Sequence, residues 1–157
     1  MPNNVTPNPT PDTIIEHLLS RFDGTTVVAA WGERSVFYNP GNQLPRGVYF
    51  ATVKEKDGDN DRASRLGRAG AFRLNLGTSK PLFLARFGPP PARPGKGGVI
   101  AGPWDFTQYD VLTPHPVYGW MSWVAVLNPS PQTLVDMDAM ILAAFEKAKA
   151  TFEKRVR

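Results

Sequence analysis

Apolar residues recur at helical spacing near both ends of the chain and alternate with polar ones between them. Thr10-Pro11-Asp12 supplies a cap, a proline suited to the first helical position and an early acid. Ile14, Ile15, Leu18, Leu19 and Phe22 then share one face of a predicted helix that Asp23-Gly24 stops. Thr25 to Trp31 and Arg34 to Tyr38 read as strands, with Gly32-Glu33 linking them in a type II′ hairpin. Asn39-Pro40-Gly41-Asn42 turns the chain, and a third strand runs from Val48 to Lys54. After a polar stretch over Glu55 to Gly70, Phe72 to Leu76 alternates strictly. Phe72, Leu74 and Leu76 fall on one face, Arg73 and Asn75 on the other. Thr78 to Phe87 reads as a short helix, and Gly88 to Gly98 as a Pro/Gly-rich excursion. Trp120 to Leu127 is nearly continuous in apolar character, as a central strand is. Ser130-Pro131 repeats the cap-plus-proline start ahead of a long helical stripe: Leu134, Met137, Ile141, Ala144, Phe145, Ala148 and Phe152.

Consecutive strands joined by short turns, flanked by helices, are not the alternation of a parallel sheet. The order predicts an α+β fold: an antiparallel β-sheet with the N- and C-terminal helices packed on one face. The first nine residues, rich in Pro and Asn, read as a disordered lead-in, and residues 10–157 as a single α+β domain. With 157 residues the chain is long enough for one core and short for two.

Composition narrows the chemistry. Cysteine is absent, which excludes disulfides, thiolate nucleophiles and sulfur-ligated metals and suits a cytoplasmic location. The N-terminus lacks the basic and apolar regions of a signal peptide, and no apolar run approaches a membrane span. The formal net charge of +4 is concentrated at the end, where Lys147, Lys149, Lys154, Arg155 and Arg157 face only Glu146 and Glu153. Cations there offset the dipole of a terminal helix, and the same residues are the basis for a nucleic-acid-binding alternative.

Several motifs fail on inspection. Asp57-Gly58-Asp59-Asn60-Asp61 begins like a calcium-binding loop, but Arg62 and Arg68 stand where Gly and the bidentate Glu belong, leaving a solvated turn. Gly95-Lys96-Gly97-Gly98 lacks the remaining positions of a phosphate-binding loop, and no Gly-x-Ser-x-Gly elbow occurs. The two histidines, His17 and His115, have no metal-ligand spacing, so neither a metal nor another cofactor is expected. His17 reads as a helix-surface residue.

What survives is the segment Thr113-Pro-His-Pro-Val-Tyr-Gly-Trp-Met-Ser-Trp123. Two prolines fix the backbone around His115 and hold a titratable group beside Tyr118 and Trp120. Arg73 and Asn75 form a second candidate surface for an anion or amide, with Trp31 nearby if the sheet order is favourable. Arg73 could instead pair with an acid from the Asp57–Asp61 turn.

Trp31-Gly32, Phe37-Tyr38, the runs 61–66, 70–77 and 113–119, and Trp123 to Pro129 resemble an uncharacterised bacterial domain-of-unknown-function family over roughly residues 12–152. The Pro-His-Pro-x-Tyr-Gly block is the most specific part. More remotely, the order of elements is similar to MmcQ/YjbR-like proteins, which implies a frataxin-like (CyaY-like) fold. Those proteins carry a Lys-x-His-Trp-like stretch before the late strand. Here four residues separate His115 from Trp120 and no lysine precedes the histidine, so the resemblance implies a fold and not an activity.

The leading expectation is therefore a non-catalytic module that binds a small molecule or a protein partner. Its candidate ligand-binding residues are His115, Tyr118, Trp120, Arg73, Asn75 and Trp31. A rival is a small hydrolase or transferase with His115 as general base and Tyr118 or Arg73 polarising the substrate. A third is DNA binding through the basic C-terminal helix. The sequence leaves the oligomeric state open.

Overall fold

The structure, a computed structural model, describes residues 7–157. The expected lead-in over 1–9 falls chiefly on residues 1–6, outside the described residues. Thr10 caps the first helix, α1 (Pro11–Arg21), by accepting from the Thr13 amide at 3.1 Å. Thr13 returns the bond, its hydroxyl oxygen accepting from the Thr10 amide at 2.8 Å. Proline at the first position, buried Ile14, Ile15 and Leu18, and exposed His17 match the sequence pattern.

The hairpin of β1 (Thr25–Ala30) and β2 (Glu33–Tyr38) turns one residue earlier than expected. Ala30 pairs with Glu33, so Trp31 and Gly32 are the linking residues, with φ of 51° and 75°. Two positive φ values mark a type I′ rather than a type II′ turn, the form whose twist suits a two-residue hairpin. β3 spans Val48–Lys54, and β4 runs over Arg73–Gly77, one residue later than the alternation suggested. Ser79 caps α2 (Lys80–Phe87), and a long excursion then leads to the two-residue β5 (Thr113–Pro114).

The predicted last strand is shortened at its start. Gly119–Met121 form a 3-10 turn in which the Gly119, Met121 and Ser122 amides bond to the carbonyls of His115, Tyr118 and Gly119. Those groups are thereby lost to a sheet ladder. Ser122 is left-handed at φ 66°, and β6 covers only Trp123–Leu127. The terminal stripe is likewise divided. Met137, at φ −88° and ψ 0°, separates α3 (Pro131–Asp136) from α4 (Asp138–Arg155).

Among the described residues six strands form one antiparallel sheet in the order β1-β2-β3-β4-β6-β5. Together with the four helices of those residues this is an α+β architecture. Val36, Val53, Leu74, Leu76, Val124 and Val126 point to the helical face and form the core with Ile14, Leu18, Ile141, Ala144 and Ala148. Phe22 from the end of α1 stacks on Phe145 of α4 with centroids 4.2 Å apart. A bulge sets Val36 opposite Ala51 but Phe37 opposite Tyr49, leaving Phe50 as the extra residue. Phe50 and Ala51 therefore both reach the core, while Tyr49 is thrown to the other face with Thr52 and Lys54.

All five residues of β4 are buried, because the segments before and after it fold back over the sheet face that the helices leave open. Among the described residues no helix is long and apolar enough to cross a membrane.

Candidate functional site

Strand alternation and register place three rows of side chains across the face opposite the helices. Glu33, Lys54 and Arg73 make one row. Ser35, Thr52, Asn75, Ala125 and Thr113 make the next. Phe37 and Tyr49 in one strand pair, and Gly77 and Trp123 in the other, make an aromatic row. Gly77 is required there, since a Cβ at this position would lie 2.7 Å from the Trp123 ring. The Tyr49 and Trp123 rings lie 5.4 Å apart across the gap.

Arg73, 0% exposed, organises the polar rows. Its Nε donates to Asn75 Oδ1 at 2.7 Å, and its Nη1 to Ser64 Oγ at 2.9 Å and Asp61 Oδ1 at 3.0 Å. Nη2 closes a bidentate ion pair on Asp61 Oδ2. Asp61 thus turns inward from a segment expected to be a solvated turn, while its neighbours Asp59 and Asn60 stay exposed. Burial works to raise the Asp61 carboxyl, but the Arg73 hydrogen bonds and charge outweigh it, with His115 and Lys54 assisting, and hold it below its ordinary value. From Arg73 the bonds run on directionally. Asn75 Nδ2 donates to Thr52 Oγ1 at 2.9 Å, and Thr52 Oγ1 donates to Glu33 Oε2 at 3.4 Å. One chain of donors links a cation on β4 to a carboxylate on β2.

The proline-flanked corner delivers His115 onto this network. Its amide bonds to the Trp123 carbonyl at 2.9 Å and its carbonyl accepts from Gly119 at 2.9 Å, so the backbone is pinned on both sides. The ring is 3% exposed. Nδ1 accepts from the amides of Val117 and Tyr118, both at 3.0 Å, and Nε2 lies 3.2 Å from Arg73 Nη2. Burial first, then the Arg73 charge, pushes the imidazole well below its ordinary range, against the smaller opposing pull of Asp61. His115 is therefore neutral, with one N–H. Since the Nδ1 lone pair faces two donors, the hydrogen-bond network assigns the proton to Nε2.

A cavity of about 330 Å³ opens beside this corner. Its polar floor includes Glu33, Thr52, Lys54, Asp61 and His115; its aromatic wall is Phe37, Tyr49, Tyr118 and Trp123. Of the residues singled out in the sequence, Arg73, Asn75 and His115 come together in one network, and Tyr118 lines the cavity with its ring 5.0 Å from that of His115. Trp120 does not line it and instead lies under the Arg93 guanidinium at 4.9 Å. Trp31, 93% exposed at the hairpin tip, is also outside the group.

The sequence reading missed Thr52, Lys54, Glu33, Tyr49, Ser64 and the cavity role of Trp123. Thr52 and Lys54 carried one signal: polar residues two apart in an otherwise apolar strand share a face.

A larger cavity of about 660 Å³ lies between α1, α3 and α4 on the helical side. Ile14, Leu18, Leu74, Leu76, Leu134 and Ile141 line it, with no convergent set of buried polar groups. Among the described residues no three His, Cys, Asp or Glu side chains gather as a metal ion would require. The chain matches no curated protein and no solved structure. Over residues 9–157 it matches the family of unknown function DUF6194, and it belongs to that family.

Proposed function

We propose that this chain is a binding module that holds a small molecule in the cavity between the His115 corner and the open face of the sheet. The observation that carries the reading is a pocket combining an aromatic wall with polar groups already fixed by one another. Such a pocket orients a ligand without the cost of ordering its own side chains on binding. Glu33, Thr52 and Lys54 of the floor stand on β2 and β3, while Asp61 and His115 come from the segments that fold over the sheet. The remote likeness to MmcQ/YjbR-like proteins enters as a likeness of element order and brings no activity with it.

A general-base role for His115 draws no support from its surroundings. A base needs a free lone pair within reach of a substrate proton. The Nδ1 lone pair is occupied by two amides and Nε2 bears the hydrogen. As a neutral donor the ring serves recognition instead.

Screening a metabolite collection by protein NMR tests the reading. Hits are expected to move the indole N–H of Trp123 and the amide of Tyr118, and to leave Trp31 and Trp120 unchanged. Hits confined to the apolar cavity beside α1, or no hits at all, would overturn it.

A further inference from the structure

Resting on that reading, we infer that the ligand carries an anionic oxygen head, a carboxylate attached to a flat apolar body, with the head seated between Lys54 and His115.

Among the described residues, two features of the floor lack an acceptor or an ion pair. The first is a surplus of donors. His115 Nε2–H faces an Arg73 N–H across 3.2 Å, and neither atom offers the other a lone pair. The other Arg73 hydrogens are already engaged by Asn75, Ser64 and Asp61. An oxygen acceptor beside His115 would supply what this pair of donors lacks.

The second is Lys54, 8% exposed and directly opposite Arg73 in the β3–β4 ladder. Like charges in that position repel. The ion pairs among the described residues all belong to Arg21, Arg34 and Arg73, so Lys54 has none. Glu33 faces it on the other side in register but lies beyond ion-pair distance, with Oε2 bonded to the Thr52 hydroxyl. Asp61 is committed to Arg73 through both oxygens. The Lys54 ammonium, on a largely buried stem, and the buried His115 donor thus stand on one cavity floor whose nearest carboxylate, Asp61, is already held by Arg73.

The opposite wall sets the rest of the ligand. Phe37, Tyr49, Tyr118 and Trp123 offer ring faces and edges, suited to a planar apolar body. Carboxylate and ring together match the two sides of the cavity.

Benzoate, its neutral isostere benzamide and the cation benzylamine separate the terms, titrated against the whole chain by NMR. Benzoate is expected to bind about five- to tenfold more tightly than benzamide, the margin of a charge-assisted over a neutral hydrogen bond. It should shift Trp123 and the His115 imidazole together. Lys54→Met, which keeps the stem and removes the charge, is expected to erase that preference. Should the variant fail to fold, the benzoate-to-benzamide ratio of the native chain still decides. Equal binding of the two overturns the anion and leaves the pocket standing. Tighter binding of benzylamine overturns it in favour of Glu33 as the head group's partner. No shift at Trp123 with any probe removes both the anion and the pocket.

Discussion

Asp61 and Arg73 illustrate how much rests on single side chains. The guanidinium is fully buried, and among the described residues it pairs with the carboxylate of Asp61 alone. Such a pair contributes little net stability over an apolar substitute, yet losing one member strands the other charge. Asp61→Asn is therefore expected to cost about 3–5 kcal/mol in urea unfolding. A cost below about 1 kcal/mol would mean that water reaches Arg73 freely. Thr52→Val makes a smaller cut in the same chain. It removes the acceptor of Asn75 Nδ2 while keeping shape, and about 1–3 kcal/mol is expected. At this scale the sequence was partly legible. Alternation alone set Arg73 and Asn75 on one face, and the acids of the Asp57–Asp61 turn were visible partners. Thr52 and Lys54 were not joined to them, because the pairing that sets Thr52 opposite Asn75 and Lys54 opposite Arg73 joins strands far apart in the chain, and no local pattern announces its register.

The elements repeat this division between local and tertiary causes. Two caps were legible: Thr10 and Ser130 each accept from an amide three residues on, as their hydroxyls and the following prolines imply, whereas Ser79 caps a helix that was expected to start at Thr78. Turns were less so. Trp31-Gly32 was read a residue late because Gly32-Glu33 also makes an acceptable hairpin turn. Pairing of Ala30 with Glu33 selected the other. A left-handed tryptophan is unfavourable there, and its side chain, 93% exposed, recovers almost nothing by burial. Trp31→Asn is expected to raise thermal stability, by roughly 1 kcal/mol, without altering the cavity. A loss of stability in calorimetry would show that Trp31 has a contact role that its exposure conceals. Trp120 was read as strand because the run into Leu127 is apolar, but the turn over Gly119–Met121 uses the backbone groups a strand needs.

For the molecule as a whole, helices take one face of the sheet and the loops that cover the other create the site. That arrangement makes stability depend on pH in one direction. His115 is held neutral in the fold, so in mild acid the unfolded chain binds a proton that the native chain refuses. The contribution is full above about pH 6.5 and is lost as pH falls below it, at up to about 1.4 kcal/mol per pH unit. Asp61 adds its own loss at lower pH, because its native carboxyl protonates below its ordinary value of 3.8. His115→Asn keeps an oxygen acceptor near the Nδ1 position and is expected to flatten the stability profile between about pH 6.5 and 5. An unchanged slope in that variant would place the titrating group elsewhere.

The charge state and tautomer of His115 underlie both the binding reading and its anionic head. The nitrogen-15 spectrum of the imidazole measures them directly. Nδ1 should resonate as an unprotonated acceptor and Nε2 as a protonated donor, unchanged from about pH 8 to 5.5. A ring that carries its hydrogen on Nδ1, or that gains a second proton near pH 6.5, would contradict the donor floor on which the account stands.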